Sequence, residues 1–161
     1  MTPPLSLLDI TLRLVLALAC GGLIGLNRDL HHKGAGFRTF GLVALGTAGI
    51  SIGTLLVLEP SPDNIGRVIQ GVLTGIGFLG AGVIMRRADR GRVTGLTTAA
   101  AIWFAAGLAL LCGLGEFALV GVLLALALML LIFGRSVERT VERMFGKSGP
   151  ESSAPDADGD D

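Results

Sequence analysis

Residues 75–80 read GIGFLG, the GxGxxG spacing whose glycines let a backbone close on a pyrophosphate when they lie between a strand and a helix. That chemistry also needs a preceding strand, a helix opening at the turn and a carboxylate about 20 positions on. Here the glycines stand in the middle of the uncharged run 68–85, position 95 is glycine, and the next segment is again apolar. No aqueous crevice is left for a ribose, and the nucleotide reading fails. Other enzyme chemistry is no better supported, since no GxSxG, HExxH or P-loop occurs and His31-His32 lies in a basic loop where solvated histidine is ordinary. Cys20 and Cys112 lack paired metal-ligand spacing and read as small buried side chains. The chain is not expected to be an enzyme or to hold a resident cofactor.

The informative polar residues are those in or beside long apolar runs, because each costs on the order of a few kcal/mol in a bilayer unless paired. Asn27, Arg28, Asp29, Arg38 and Thr39 gather at the ends of the first two runs, and Thr97 and Thr98 open the fourth. For the threonines the alternatives are helix N-capping, back-bonding to a helix carbonyl, or function. Asp63 and Arg67, four residues apart, stand before the glycine-rich third run. Arg67 is the residue that topology explains least.

These residues are positioned by membrane helices. Of 161 residues, 51% are hydrophobic and 16% charged, and the uncharged runs 14–26, 39–58, 68–85, 93–115 and 117–134 punctuate the chain. A bilayer core takes about 20 apolar residues per helix, and the short first run reaches that by extending back to Leu5 with Asp9 and Arg13 paired near the interface. The expected fold is all-α, a polytopic membrane protein of five transmembrane helices over residues 5–134. A cleaved signal peptide is not expected, because the N-terminus has no positively charged leader.

Charge supports the odd number of spans. Arg28, Lys33 and Arg38 follow helix 1; Arg86, Arg87, Arg90 and Arg92 follow helix 3; Arg135, Arg139, Arg143 and Lys147 follow helix 5, leaving only Arg13 and Arg67 for the other side. Short basic loops stay in the cytoplasm, so the N-terminus is expected outside and the C-terminus inside. The outer side carries Asp9, Glu59, Asp63 and Glu116; Asp63 and Glu116 are the candidate cation ligands, with ordinary loop-end acids as the alternative. The formal net charge is zero, which argues against nucleic-acid binding.

On a helical wheel for residues 67–85, Arg67, Gly71, Thr74, Gly75, Phe78 and Gly82 share a sector of about 100°, with the bulky aliphatic residues and Gly80 opposite. Between membrane helices there is little hydrophobic drive, so small residues that allow close backbone approach supply the contact surface. Gly71, Gly75, Gly77, Gly80 and Gly82 are therefore read as packing glycines. Gly21xxxGly25 and Gly49xxxGly53 have the same spacing in helices 1 and 2.

A shift of 59 residues aligns Gly21, Arg28, Gly36 and Thr39 with Gly80, Arg87, Gly95 and Thr98, the pattern of a duplicated pair of hairpins. Segment 135–146 places Val137, Val141, Met144 and Phe145 on one face, and either lies on the cytoplasmic leaflet or extends helix 5. The acidic tail 147–161 is expected to be disordered, and no second folded domain is expected.

GLIGLNRD at 22–29 with GFRT at 36–39, DNIGRVIQGVLTGIGFLGAGVIM at 63–85 and GLTTAAAIW at 95–103 together resemble the membrane domain of the MgtC/SapB family, over roughly residues 7–135. In the family, Arg38 and Thr39, Asp63 and Arg67, 75–82 and 95–100 match signature positions. Asn27 stands where the family usually has Glu, so the chain lacks a carboxylate at that position, with Asp29 as a candidate substitute on a different face. The resemblance is to a short member lacking the C-terminal cytoplasmic domain. It implies a multi-pass protein of the bacterial inner membrane, associated with magnesium homeostasis and, in some members, with virulence through restraint of the membrane ATP synthase. Two functions stay open: a regulatory protein acting through helix contacts with a larger complex such as the ATP synthase, or a transporter or channel for Mg²⁺ or another cation. Either is compatible with a homo-oligomer in the lipid bilayer.

Overall fold

The computed structural model describes residues 5–31, 34–58, 61–86 and 93–144, excepting the side chains of 85, 86, 135–139 and 142. His32, Lys33, Glu59, Arg87, Arg90, Arg92, Phe145 and the acidic tail 147–161 lie outside these residues.

Among the described residues five helices follow one another: α1 (Leu7–Leu30), α2 (Phe37–Val57), α3 (Pro62–Val83), α4 (Leu96–Leu114) and α5 (Phe117–Met144). All five are long and apolar enough to cross a membrane. Between α3 and α4 a short ladder that the apolar pattern does not announce pairs β1 (Met85–Arg86) with β2 (Val93–Thr94), antiparallel, Met85 opposite Thr94. The chain divides into two compact units, Met1–Leu128 and Met129–Asp161; α5 begins in the first and ends in the second, with no break at residue 135.

The helix ends follow local chemistry. Ser6 and Asp9 form a capping box: the Asp9 amide donates to Ser6 Oγ at 3.1 Å and the Ser6 amide to Asp9 Oδ2 at 3.2 Å. Ser61 caps α3 by accepting from the Asn64 amide at 3.2 Å, with Pro62 at the first helical position. Gly115 ends α4 with φ 91°, donating to Leu111 and Cys112 carbonyls. Gly95 opens α4 at φ 92°, and a Cβ there would lie 2.1 Å from the Val83 carbonyl oxygen, so the end of α3 and the start of α4 meet only because residue 95 has no side chain.

In the first unit α1, α2 and α4 form the core, and α3 leans chiefly on α4. Phe40, Ile24, Leu108, Val120 and Cys112 are the unit's largest wholly enclosed apolar side chains, and the Cys20 and Cys112 thiols meet between α1 and α4. Close approach is made where glycine permits it. A Cβ on Gly21 would come within 2.7 Å of both Ala44 Cβ and the Phe40 carbonyl oxygen, and one on Gly25 within 2.7 Å of Phe37 Cα. Gly113 of α4 sits on Ser51 and Ala48 of α2 in the same way. Gly49 and Gly53, with the same spacing, have nothing within 4 Å of a Cβ and make no such contact.

Candidate functional site

The polar residues at the ends of α1, α2 and α4 separate into those the fold joins and those it leaves outside. Arg28, in the last turn of α1, is only 3% exposed, and its Nη2 donates to Oγ1 of Thr98, itself 5% exposed, in the first turn of α4. The basic residue that charge counting treats as a topology marker is thus a buried tie between two helices 70 residues apart in sequence. A charge-assisted hydrogen bond of this kind is roughly twice as strong as a neutral one. Thr98 is not an N-cap: Gly95 occupies that position without a side-chain bond, and the threonine hydroxyl points to α1 instead.

Asp29 has a different task. Its Oδ2 accepts from the Phe37 amide at 2.8 Å, and Gly36 packs so tightly on the carboxylate that a Cβ would fall 1.6 Å from Oδ1. Gly36 caps α2 without a side chain, so Asp29 supplies the missing acceptor from α1 and faces the positive end of the helix dipole. That removes it as a free substitute for the carboxylate absent at Asn27. Asn27 is half-buried, and its carbonyl lies 2.7 Å from Nδ1 of the exposed His31. Arg38, Thr39 and Thr97 are exposed. Asp29→Ala should lower the thermal stability of the detergent-solubilised protein by about 1 kcal/mol, as loss of an N-cap does, and Asp29→Asn should retain most of it. Loss of function with unchanged stability in Asp29→Ala would contradict the capping role.

At the opposite ends of these helices, Arg13 does not pair with Asp9. Asp9 is held by Ser6, while Arg13 Nη1 donates to the Gly113 carbonyl at 2.6 Å and its guanidinium lies 5.9 Å from the centroid of the Phe117 ring. A half-buried arginine therefore ties α1 to the turn between α4 and α5, since a helix-end carbonyl and an aromatic face both favour a cation. Nothing local announces this contact, because Arg13 and Gly113 are 100 residues apart. Asp63 opens α3 and Glu116 lies between α4 and α5; both are exposed. Among the described residues no ion pair joins Asp63 to Arg67, and no three His, Cys, Asp or Glu residues gather as metal ligands.

The expected two-faced character of α3 is present, but its orientation is the informative part. Gly80 turns toward α4, where a Cβ would lie 3.5 Å from Ala99 Cβ, an ordinary van der Waals contact, while Val68, Val72, Ile76 and Leu79 of the bulky face border the space between α2 and α3. Arg67, Gly71, Thr74, Gly75, Phe78 and Gly82 are all exposed, as is Gly77, and a Cβ on any of these glycines meets nothing within 4 Å. Of the five candidate packing glycines of α3, only Gly80 packs against another helix among the described residues. Gly71 and Gly75 instead line an open groove of about 660 Å³ between α2 and α3, walled by Val43, Thr47, Ile50 and Val72. Gln70, which charge and glycine spacing both pass over, stands exposed on the same outward side.

The model of a family described as the MgtC family matches residues 14–140. Protein MgtC of Salmonella typhimurium strain LT2 is 47% identical over 106 residues, covering 66% of this chain and 44% of that protein. Protein SrpB of Synechococcus elongatus is 42% identical over 129 residues, covering 71% of this chain and 69% of that one. Protein MgtC of Brucella abortus strain 2308 is 43% identical over 99 residues, 62% of this chain and 40% of its own length. The chain thus spans less than half the length of the MgtC proteins it matches. No solved structure matches it.

Proposed function

Because this chain belongs to the MgtC family, we propose that it is a regulatory protein of the bacterial inner membrane, associated with magnesium homeostasis, that works through contacts between α3 and another membrane helix. The observation that supports this reading is an inversion in the bundle. Of the five spans α3 is the least apolar, yet almost none of it is buried, whereas over half of the more apolar α4 is. A helix with polar residues belongs inside a bundle, since lipid offers them no hydrogen bonds. The face is therefore built for protein, and the regulated target would be a larger membrane complex such as the ATP synthase.

Two measurements test this. In liposomes containing only this protein, Mg²⁺ entry should not exceed that of empty vesicles. In cells, Gly75→Leu, at a position where an added Cβ meets nothing within 4 Å, should abolish growth under magnesium limitation while the protein accumulates normally. Mg²⁺ influx that Asp63→Ala abolishes would overturn the regulatory reading in favour of transport.

A further inference from the structure

We propose that the outward face of α3 is a homodimer interface, on which a second copy of this chain lays its own α3 about a two-fold axis. The proposal rests on the reading of α3 as the contact helix and names what covers it. At about 100° per residue, Asp63, Arg67, Gln70 and Thr74 fall within about 60° of one another and form a single ridge. All four are exposed.

The Thr74 hydroxyl is not hidden in its own helix. Thr11, Ser51 and Thr54 each bond back to the carbonyl four residues earlier, at 2.8, 3.1 and 2.8 Å. That is how a membrane helix hides a hydroxyl. Thr74, in the middle of α3, makes no such bond, and neither it nor Gln70 has a hydrogen-bond partner among the described residues.

A second copy satisfies this ridge for a chemical reason. Gln and Thr side chains are each donor and acceptor, so each can pair with its own counterpart across a two-fold axis. Copies inserted in the same direction run parallel, which brings equal depths together. Asp63 and Arg67 are one turn apart and carry opposite charges, so each Arg67 can meet the Asp63 of the other copy, and the two ends neutralise one another. Glycines flank the ridge, Gly66 and Gly77 on one side and Gly71, Gly75 and Gly82 on the other, with nothing within 4 Å of a Cβ on any of them, so the backbones can close. Phe78, 82% exposed, then has the apolar α2–α3 groove of the other copy to enter.

Cysteine crosslinking in native membranes tests this directly. Thr74→Cys should give, on mild oxidation, a species of twice the 16.5 kDa chain mass, and Leu126→Cys on α5 should not; the native Cys20 and Cys112 are buried. Adding Arg67→Asp should lower the yield about tenfold, and adding Asp63→Arg as well should restore it. Absence of the double-mass species, or a swap that fails to restore it, overturns the homodimer. If Thr74→Cys gives no homodimer but Gly75→Leu still abolishes growth, the contact helix stands and the second copy is wrong; if neither occurs, both fall.

Discussion

Gly25→Ala and Gly21→Ala are expected to abolish the folded bundle, whereas Gly71→Ala and Gly75→Ala leave it intact or slightly more stable. The four sites have the same residue type, the same four-residue spacing and the same helical setting, so the difference isolates packing. At Gly25 the added carbon would stand 2.7 Å from Phe37 Cα, 2.9 Å from its amide nitrogen and 3.0 Å from the Gly36 carbonyl carbon. All three are backbone atoms, which cannot rotate away as a side chain can. The α1–α2 contact must separate, at a cost of about 3 kcal/mol or more, the upper end for overpacking. At Gly71 and Gly75 the new methyl meets nothing within 4 Å, and replacing helical glycine with alanine gains roughly 0.5–1 kcal/mol. Thermal unfolding in detergent micelles separates the two pairs. Equal loss at all four in the monomeric protein would mean that α3 packs inside its own chain.

Breaking the Arg28–Thr98 tie is expected to have the next largest effect. Arg28→Leu removes a buried cation and its donors, and Thr98→Val keeps the shape of the threonine while removing the acceptor. Hydrogen bonds to charged groups contribute about 1.5–3 kcal/mol, and Thr98→Val leaves part of a buried guanidinium without its acceptor, so a loss in that range is expected for Thr98→Val. Arg28→Leu should cost about the same, because a buried arginine also packs through its aliphatic stem. The double variant should cost less than the sum of the singles by about 1–2 kcal/mol, the coupling expected of groups in direct contact. Additive losses would show that the contact carries no stabilisation. Arg28→Lys should rescue poorly, since an ammonium lacks the fork through which Nη2 reaches α4.

The two glycine pairs also show why the sequence could identify packing surfaces without saying which of them are used. A GxxxG spacing produces a smooth strip on a helix whatever lies opposite. Whether that strip meets α2, as at Gly21 and Gly25, or opens outward, as at Gly49, Gly71 and Gly75, depends on how the helices are arranged around the core. The two-faced nature of α3 was legible from its periodicity, and so was the grouping of Arg67, Thr74 and Phe78. Its direction was not, because the wheel has no external reference.

Arg28 and Arg13 mark the same boundary among polar residues. Both read as interfacial arginines, since their sequence neighbours are the ends of an apolar run. Arg28 proves buried and Arg13 half-buried because each has an acceptor on a helix end far along the chain, Thr98 in one case and the Gly113 carbonyl in the other. Asp29 reads as a spare carboxylate and serves as the cap that Gly36 cannot provide.

By itself the sequence determined five apolar spans, their all-α character and membership in a family recognisable from GLIGLNRD, GIGFLGAG and GLTTAA, because span length and local motifs are properties of contiguous residues. Only the tertiary structure decided that α1, α2 and α4 make the core, that Arg28 and Thr98 tie it together, and that the least apolar helix turns its polar ridge outward. In a bilayer the apolar faces of helices are all equally soluble, so hydrophobicity cannot choose among them. Shape and hydrogen bonds between distant segments make that choice, and they exist only once the helices have met.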